Sequence, residues 1–491
     1  MRAMKGTPAA RAIKNTRYFI TEAMIPRGLN PGKSIFHTDY NSSHFFRLSL
    51  SHFTVIIPGM DTHIILLSGG SGKRLWPLSN DIRSKQFLSV LPNGQGGFES
   101  MVQRVHRQLR GEFPHERVVI ATGAAQKEQI EAQLGSSVSI VCEPARRDTF
   151  PAIALSCTYL EDVCRGNADD VVLVLPVDAY ADQHYFSIVR RMQEAVENRN
   201  ADIVLMGITP TSPSSRFGYM LPGLHQDTHI VIDRFVEKPS VSDAERFIAE
   251  GACWNGGVFA FRLGYLMDIV RTRIGSYPFD AMLDRYANLD RISFDYAVVE
   301  NAQSVAMIPY DGTWRDLGTW DMLVGEIGSC GLGPQVHHDT EKTVVVNELA
   351  IPVVAVGTDR LVIAASADGI LVSDLQKSAQ VKPIVDTLTD APRHMQHTWG
   401  TSTVVERKIE SDRMVHEVSI VRIEATQTLS LEPDPLFSRT LVVLEGSGTI
   451  TCDSSIKPII AGTSVSQTQG ASIQIEAKER VVLVESLIFA P

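Results

Sequence analysis

Short apolar runs and amphipathic segments alternate along the first half of the chain. Apolar runs bounded by polar residues, glycine or proline are typical of strands buried in a parallel sheet. The segments between them carry apolar residues three and four positions apart, which predicts helices. The predicted strands cover residues 64–67, 118–121, 138–142, 171–175 and 203–208, and the predicted helices cover residues 100–109, 125–134, 151–164 and 184–198. This alternation predicts a doubly wound α/β sheet, in which ligands bind at the carboxyl ends of the strands.

The pattern changes after Gly207. Strands are predicted at 217–220, 230–238 and 257–262, with helices at 242–250, 294–301 and 317–327. This part is expected to extend the sheet and to carry a second substrate. A glycine- and proline-rich linker, residues 328–334, ends it.

The rest of the chain is rich in short β-branched runs. Residues 343–374 predict a small β unit of one or two coils of a β-helix, and residues 381–388 predict a helix that leads out of it. The last hundred residues predict a small β-barrel or jelly roll. Its strands are expected at residues 429–431, 441–444, 448–452, 472–475 and 481–485.

Composition narrows the class of protein. The 491 residues are 44% hydrophobic and carry a net charge of −10, which argues against a nucleic-acid-binding body. The sequence contains no run of 18 apolar residues, so we expect no membrane span. Its six cysteines include no C-x-x-C pair, and they are interpreted as reduced thiols of a cytoplasmic protein.

Residues 1–59 differ from the remainder. They contain eight Lys or Arg but only two acidic residues, Glu22 and Asp39. Such a start is also typical of a transit peptide. The preferred interpretation is a disordered extension or an over-called start, because Met60 immediately precedes the first clear strand.

A glycine-rich loop follows that first strand. Glycines let the backbone approach a polyanion with its N–H groups, and nearby cations neutralise the charge. The loop matches neither the P-loop pattern nor the dinucleotide-binding pattern, and the alternative is an ordinary tight turn. The residues expected at a phosphate are Gly69, Gly70, Ser71, Gly72, Lys73, Arg74 and Lys85.

Four further clusters carry candidate chemistry. Residues 143–149 end a strand and enter a helix, where an anion or a base edge can bind; the alternative is a well-capped helix start. Asp178 follows a buried strand and is a candidate Mg²⁺ ligand or a solvated loop acid. Residues 235–239 with 254–257 offer groups for sugar hydroxyls, or form a strand-edge ion pair and a turn. In residues 314–320, Asp316 is a second candidate ligand, or the N-cap of the helix that follows.

In this order, the clusters closely resemble those of bacterial mannose-1-phosphate guanylyltransferases, within the nucleotidyltransferase family that makes nucleotide sugars. The resemblance covers roughly residues 60–374 and rests on the motifs LLSGGSGKRLWPLS, SKQFL, EPARRDTFPAIAL, LPVDAY, FGYM, FVEKP, WNGGVFAFR, SFDYAVVE and WRDLGTWD. The family usually has Thr where Lys73 stands and Asn where Asp148 stands. The second departure lies in the region expected to read the nucleotide base.

The resemblance implies a Rossmann-like (GT-A-like) nucleotidyltransferase domain at residues 60–330, the β-helix-like unit at 335–390 and the barrel at 391–491. It implies transfer of GMP from GTP to mannose 1-phosphate without a protein nucleophile; another nucleotide or hexose 1-phosphate is the alternative. Pairing of two copies into a dimer is left open by the sequence.

The same resemblance assigns roles to individual residues. Arg74, Lys85 and Asp178 would be catalytic, and Asp178 and Asp316 would hold Mg²⁺. The loop residues Leu67 to Lys73 would bind the nucleotide together with Glu143, Arg147 and Thr149. The sugar phosphate would be seated by Gly218, Glu237, Lys238 and Asn255.

The final domain resembles the cupin-like, metal-dependent isomerase half of longer, bifunctional relatives. The stretch that is His-rich in those relatives here contains Glu432, Pro433, Asp434 and Pro435 and no histidine. The fold is expected to remain without the metal site and without phosphomannose isomerase activity; a bifunctional enzyme is the alternative. His394, His397 and His416 are interpreted as surface or packing residues.

Overall fold

The computed structural model describes residues 60–70, 72–328, 331–388, 391–409, 414–432, 437–452, 455–467 and 471–489. The predicted N-terminal extension, residues 1–59, lies outside the described residues, as do Ser71, Cys330 and Asp434.

The first part of the described chain mixes strands and helices. Its strands are β1 (Thr62–Ser68), β2 (Leu91–Pro92), β3 (Phe98–Glu99), β4 (Arg117–Gly123), β5 (Ser139–Glu143), β6 (Val171–Pro176), β7 (Ala179–Ala181), β8 (Ile203–Ile208), β9 (Tyr219–His225), β10 (Ile230–Val236), β11 (Cys253–Arg262), β12 (Val305–Tyr310) and β13 (Trp314–Asp316). Its α-helices are α1 (Met101–Glu112), α2 (Lys127–Leu134), α3 (Thr149–Asp162), α4 (Gln183–Glu197), α5 (Val241–Ala249), α6 (Leu263–Arg273), α7 (Phe279–Arg285), α8 (Phe294–Ala297) and α9 (Trp320–Ile327). Single 3₁₀ turns lie at Lys73–Leu75, Lys85–Phe87, Ala124–Gln126, Tyr286–Asn288 and Val299–Asn301.

One large sheet organises these elements, in the order β5-β4-β1-β6-β11-β8-β12-β10-β9. Strands β5, β4, β1 and β6 are mutually parallel, whereas β11 runs antiparallel to both β6 and β8. Separate apolar cores cover the two faces of this sheet. The predicted doubly wound α/β class is confirmed.

Several local predictions were wrong. Helices α6 and α7 and strand β12 were not predicted, and the predicted helix at 294–301 is a short helix followed by a 3₁₀ turn. Strand β12 contains Pro309, and proline argues against an inner strand in a sequence. The strand expected from residue 217 begins at Tyr219, and the helix expected from residue 317 begins at Trp320 with Thr319 as its N-cap.

The small β unit, residues 331–374, has the predicted coiled form. Strand β14 (Gln335–His338) pairs in parallel with β16 (Val353–Val356), and β15 (Val344–Asn347) pairs in parallel with β17 (Leu361–Ser366). Strand β18 (Gly369–Asp374) closes it by antiparallel pairing with β17. A 3₁₀ segment (Leu375–Gln380) and helix α10 (Val381–Val385) lead out of it.

The remaining chain forms two antiparallel sheets around one apolar core. Their strands are β19 (His394–His397), β20 (Gly400–Ile409), β21 (Val415–Ile423), β22 (Thr428–Leu431), β23 (Phe437–Glu445), β24 (Ser447–Cys452), β25 (Ser455–Ile460), β26 (Ser464–Gln467), β27 (Ile473–Ala477) and β28 (Val481–Phe489). The two sheets are ordered β19-β20-β21-β28-β23-β26 and β22-β27-β24-β25. This is the predicted cupin-like barrel, although β19, β20, β21, β25 and β26 were not predicted. The domain boundaries themselves stay predictions.

Candidate active site

The glycine-rich loop and Asp178 meet because they follow adjacent parallel strands. Leu67 near the end of β1 is in register with Pro176 at the end of β6. The segments that follow β1 and β6 therefore leave the sheet at the same edge, and Gly69, Gly70 and Asp178 line one cleft.

A short two-stranded ribbon brings Asp316 to the same place. Strand β7 begins directly after Asp178 and pairs antiparallel with β13, with Asp316 opposite Ala179. Asp316 is thus the last residue of a strand and not an N-cap, which removes the alternative weighed from the sequence.

Lys85 joins the two carboxylates. Its Nζ lies 2.9 Å from Asp178 Oδ2 and 2.8 Å from Asp316 Oδ1. Burial alone would lower the pKa of Lys85, but the two carboxylates outweigh it and the pKa is raised. The side chain is therefore a cation held at the floor of the cleft.

Two arginines add positive charge beside Asp316. Arg216 Nη2 lies 3.0 Å from Asp316 Oδ2, and Arg74 lines the cleft close enough to act on the same carboxylate. Burial would raise the pKa of Asp316, but Lys85, Arg216 and Arg74 together lower it. Asp316 is therefore ionised over the neutral pH range.

Close packing shapes the loop around Lys85. A Cβ on Gly72 would collide with Ser84 Cα and would lie 2.6 Å from the carbonyl oxygen of Asn80. On the other side, Gln126 Nε2 donates to Ser84 Oγ at 2.6 Å and to the carbonyl oxygen of Gly70 at 3.4 Å. Gln126 thus ties the glycine-rich loop to the residue that precedes Lys85.

The cleft has a volume of about 430 Å³ and opens beside a second cavity of about 450 Å³ that shares Gly69, Gly70 and Asp178 with it. The second cavity also contains the predicted nucleotide residues Leu67, Glu143, Arg147 and Thr149. The two cavities together leave room for a nucleotide that crosses the edge of the sheet.

Glu143 and Asp148 are placed by specific contacts in the second cavity. Tyr286 donates its hydroxyl hydrogen to Glu143 Oε2 at 2.6 Å. The pKa of Glu143 is raised by burial, although the Tyr286 hydrogen bond opposes this. Asp148 has a φ of 71° and caps α3 by accepting the Thr149 N–H at 2.8 Å. A positive φ is uncommon for a residue with a side chain, and this one stands where the family usually has Asn.

The predicted sugar residues are linked by close contacts around Gly218 and Asn255. A Cβ on Gly218 would lie 2.5 Å from Glu237 Oε2, so only glycine lets this carboxylate approach. The carbonyl oxygen of Gly218 accepts the N–H of Asn255 at 2.8 Å, and Asn255 Nδ2 donates to Asp295 Oδ1 at 2.6 Å. Asn255 lines the main cleft, whereas Gly218, Glu237 and Lys238 do not line it.

Four predicted binding residues, Lys73, Gly218, Glu237 and Lys238, line neither the cleft nor the second cavity. Lys73 Nζ pairs with Asp81 Oδ2 at 3.2 Å and lines a separate cavity of about 290 Å³. Lys238 is exposed and pairs with Glu237 Oε1 at 2.8 Å. Their assigned roles stay predictions, and the geometry does not favour a phosphate contact for Lys73.

Sequence reasoning missed other residues of the site. Burial and the nearby Glu237 raise the pKa of Asp295 to about 6, and Asp295 lies beside Arg291 in the second cavity. Phe217 and Trp314 line the main cleft, and the Phe217 ring is 4.8 Å from that of Trp254. The sequence motifs contain most of these residues, but only tertiary pairing shows which side chains face the cleft.

The two aspartates fit a magnesium ion. Mg²⁺ in phosphate-handling sites is usually held by one or two carboxylates together with substrate oxygens. Asp178 and Asp316 are oxygen donors that converge on one nitrogen atom. Among the residues that the structure describes, no group of three or more His, Cys, Asp or Glu side chains could hold a metal ion. A metal here would thus depend on substrate oxygens for the rest of its ligands.

The barrel histidines are engaged elsewhere. His394 Nδ1 lies 2.9 Å from Thr403 Oγ1, and His397 stacks on Trp399 with ring centroids 4.3 Å apart. His416 is exposed on β21. These positions agree with surface and packing roles.

Two further sequence predictions can be compared with the described residues. Cys142, Cys157, Cys164, Cys253 and Cys452 are free cysteines in the described part of the chain. No helix in the described ranges combines the length and the apolar character that crossing a membrane requires.

Comparisons with known proteins point to one family. Residues 63–327 match the model of the Nucleotidyl transferase family. A mannose-1-phosphate guanylyltransferase of Escherichia coli (strain K12) is 29% identical over 85% of this chain and 93% of its own, and one of Klebsiella pneumoniae is 28% identical over 85% and 94%. A solved structure from Thermus thermophilus, described as a mannose-1-phosphate geranyltransferase, is 28% identical, covers 67% of this chain and 99% of its own, and superposes with a TM-score of 0.56.

Proposed function

Because this chain belongs to the nucleotidyl transferase family, we propose that it transfers GMP from GTP to mannose 1-phosphate and releases pyrophosphate. A phosphate oxygen of mannose 1-phosphate attacks the α-phosphorus of GTP, and the bond from that phosphorus to the bridging oxygen of pyrophosphate breaks. The names of the relatives with matching length support this choice of substrates.

The observation that carries the proposal is the position of Lys85. Its ammonium group lies in the cleft at the glycine-rich loop, between Asp178 and Asp316. In the reaction, Lys85 and Arg74 neutralise the charge that develops on the α-phosphate and the leaving pyrophosphate. Such charge stabilisation, together with positioning, is what phosphoryl transfer asks of a protein.

The nucleotide occupies both cavities. The backbone of Gly69 and Gly70, shared by the two cavities, faces the phosphates. The base lies in the second cavity near Glu143, Arg147 and Thr149. Guanine presents two adjacent donors on one edge and two acceptors on the other, and this cavity contains both carboxylates and arginines.

Mannose 1-phosphate binds on the side of Asn255. Asn255 is fixed by Gly218 and Asp295, so its side chain is held in place before the sugar arrives. Phe217 and Trp314 give this side of the cleft an apolar wall and exclude water from the reacting oxygen.

Asp178 and Asp316 would hold Mg²⁺ when substrate is bound. The ion would supply positive charge to the phosphate oxygens. Lys85, which contacts both carboxylates in the structure, would add its positive charge beside that of the ion. The free cysteines support a reducing compartment, and we place the reaction in the cytoplasm.

Pyrophosphate release measured over a grid of nucleotides and hexose 1-phosphates tests the proposal. GTP with mannose 1-phosphate should give the highest kcat/KM. A higher value for another pair would replace the proposed substrates and support the alternative nucleotidyltransferase.

Asp178→Asn tests the catalytic assignment. The variant should lose at least about 100-fold in kcat, because the carboxylate that faces Lys85 and the metal is gone. Asp280→Asn, exposed on α7, is the control and should be unaffected. Unchanged turnover in Asp178→Asn would contradict the assignment.

A further inference from the structure

The chain segment that carries Lys85 is fastened to the β unit from outside the cleft. We call residues 72–88 the phosphate segment. Ser366 Oγ donates to the carbonyl oxygen of Pro77 at 2.7 Å, in a buried position. Arg83 donates to both carboxylate oxygens of Glu348 at 2.9 and 2.8 Å. The segment and the β unit are therefore joined by polar contacts at separate points.

A third contact fixes the turn that leads to Lys85. Asn80 Oδ1 accepts the backbone N–H groups of Ile82 and Arg83 at 2.9 and 2.7 Å, which closes the turn. Asn80 Nδ2 in turn donates to Asp368 Oδ2 at 2.8 Å. The orientation of Asn80, and with it the path of the chain into Ser84 and Lys85, thus depends on a residue of the β unit.

Apolar packing supports the same junction. Leu75, Leu78 and Leu88 of the phosphate segment share one core with residues of β15 and β17. Close packing of this kind transmits small displacements, because protein interiors are dense and compress little.

Gly369 of the β unit and Trp76 of the phosphate segment are closely packed at this junction. The φ of Gly369 is +152°, and a Cβ built there would lie 2.5 Å from Cζ2 and 2.7 Å from Cη2 of Trp76. The Trp76 indole therefore rests directly on the backbone of the β unit, a few residues before Asn80.

We propose that the β unit is a positioning element for nucleotidyl transfer, with Asp368 and Gly369 as positioning residues that set the place of Lys85. This inference rests on the proposed function. Neither residue lines the main cleft, so their effect on the reaction passes through Trp76 and Asn80. The β unit is thus part of how the active site is built, although it lies outside the nucleotidyltransferase sheet.

Gly369→Ala tests the proposal against a matched control, Gly357→Ala. Both glycines belong to the β unit and have a positive φ, but a Cβ on Gly357 meets no atom within 4 Å. Both variants bear backbone strain, which is larger at the φ of +152° of Gly369 than at the φ of +63° of Gly357, but only Gly369→Ala also pushes on Trp76. We expect about a tenfold loss of kcat for Gly369→Ala beyond that of Gly357→Ala, with KM for mannose 1-phosphate unchanged, because small misplacements of catalytic groups are costly. Equal losses in the two variants would overturn the proposal.

A second substitution that rescues kcat distinguishes a positioning role of Gly369 from a general loss of structure. Trp76→Phe removes the ring atoms that the new methyl group strikes, so Gly369→Ala with Trp76→Phe should recover most of the lost kcat relative to Trp76→Phe alone. At the next contact, Asp368→Ala should lower kcat more than Asp368→Asn, which keeps an oxygen for Asn80. Additive losses in the first pair, or equal losses in the second, would contradict the inference.

Hydrogen exchange makes the test independent of the substrates. In the full chain without ligand, amides of the phosphate segment should exchange faster in Gly369→Ala than in Gly357→Ala. If wild-type protein fails to turn over GTP with mannose 1-phosphate but this difference is present, the proposed function fails and the junction stands. If turnover is normal and the difference is absent, the junction fails alone.

Discussion

At the scale of single residues, two lysines twelve positions apart have different surroundings. Lys85 lies between Asp178 and Asp316 in the cleft, whereas Lys73 pairs with Asp81 outside it. The glycine-rich loop suggested phosphate contacts for both. The sequence shows that cations follow the loop, but the 3₁₀ turn at Lys73–Leu75 directs the Lys73 side chain elsewhere.

Lys85→Met should lower kcat by about 100-fold or more, because it removes a cation from a partly desolvated site of developing negative charge. The matched change Lys73→Met should leave kcat within about twofold, since only a part-exposed ion pair is lost. Steady-state kinetics with both substrates saturating measures the two values. Similar losses in both variants would show that Lys73 also reaches the phosphates.

The raised pKa of Asp295 predicts that the free energy of unfolding depends on pH. Burial and Glu237 raise its pKa in the folded protein to about 6, above its ordinary value of 3.8. Protonated Asp295 therefore contributes stability that is fully present below about pH 4 and lost as the pH rises through about 6.

Asp295→Asn removes this charge but keeps an acceptor for Asn255. The variant should be more stable than wild type at pH 8, by on the order of 1 kcal/mol, and the gain should vanish near pH 4. Thermal unfolding at both pH values measures it. A gain of equal size at both values would rule out titration of Asp295 as its cause.

At the scale of secondary-structure elements, the positions of the site residues depend more on loops and short ribbons than on the long strands. Strand β6 was predicted from its apolar run, and Asp178 was predicted as the acid that follows it. The pairing of β7 with β13, which places Asp316, joins residues more than 130 positions apart and leaves no local pattern. The contact of Asn255 with Asp295 also leaves no local sequence pattern, so Asp295 was not predicted.

The two ends of the glycine-rich loop should respond differently to a methyl group. Gly72→Ala forces Cβ against the backbone of Ser84 and Asn80, and overpacking of this kind typically costs about 1–3 kcal/mol. Gly69→Ala meets no atom within 4 Å, so its stability should match wild type. Because Gly69 lines the cleft, its added methyl group should instead raise KM for the nucleotide.

Thermal unfolding and nucleotide kinetics on both variants test this division. Loss of stability in Gly69→Ala, or an unchanged unfolding temperature in Gly72→Ala, would show that the packing around this loop differs from the structure described.

At the scale of the whole molecule, the chain order of the parts could be predicted but their contacts could not. The alternation of apolar runs with amphipathic segments predicted the α/β sheet, and the β-branched runs predicted the β unit. Strands such as β19 (HMQH) and β20 (GTSTVVERKI) carry too many polar residues to be predicted alone, because each is half exposed in the barrel. One contact of the barrel with α2, between Gln396 Oε1 on β19 and Gln133 Nε2, is formed by a single side chain of such a strand.

The barrel is expected to contain no isomerase metal site. Glu432 replaces part of the His-rich stretch of the bifunctional relatives, and the barrel histidines are hydrogen-bonded, stacked or exposed. Metal analysis of the purified full chain should find no stoichiometric zinc, and the protein should not interconvert mannose 6-phosphate and fructose 6-phosphate. Stoichiometric zinc together with that activity would establish the bifunctional enzyme.

The barrel has a structural contact with the catalytic sheet through Gln133 on α2. Gln133 Nε2 donates to the carbonyl oxygen of Phe87 at 2.9 Å and to Gln396 Oε1 of the barrel at 3.1 Å, while its Oε1 accepts from Ser100 Oγ at 2.6 Å. One side chain therefore links the barrel, the cap of α1 and the end of the Lys85 turn.

Gln133→Ala should lower stability by about 1–3 kcal/mol, because it leaves three polar partners unsatisfied in a partly buried junction. It should also reduce kcat, since Phe87 ends the turn that carries Lys85. Glu131→Gln on the same helix is the matched control: it removes only a pair with Lys127 at 3.8 Å, which contributes little. Thermal unfolding and turnover of the full chain measure both effects. If Gln133→Ala behaved like Glu131→Gln, the barrel would not be anchored to the catalytic sheet through Gln133.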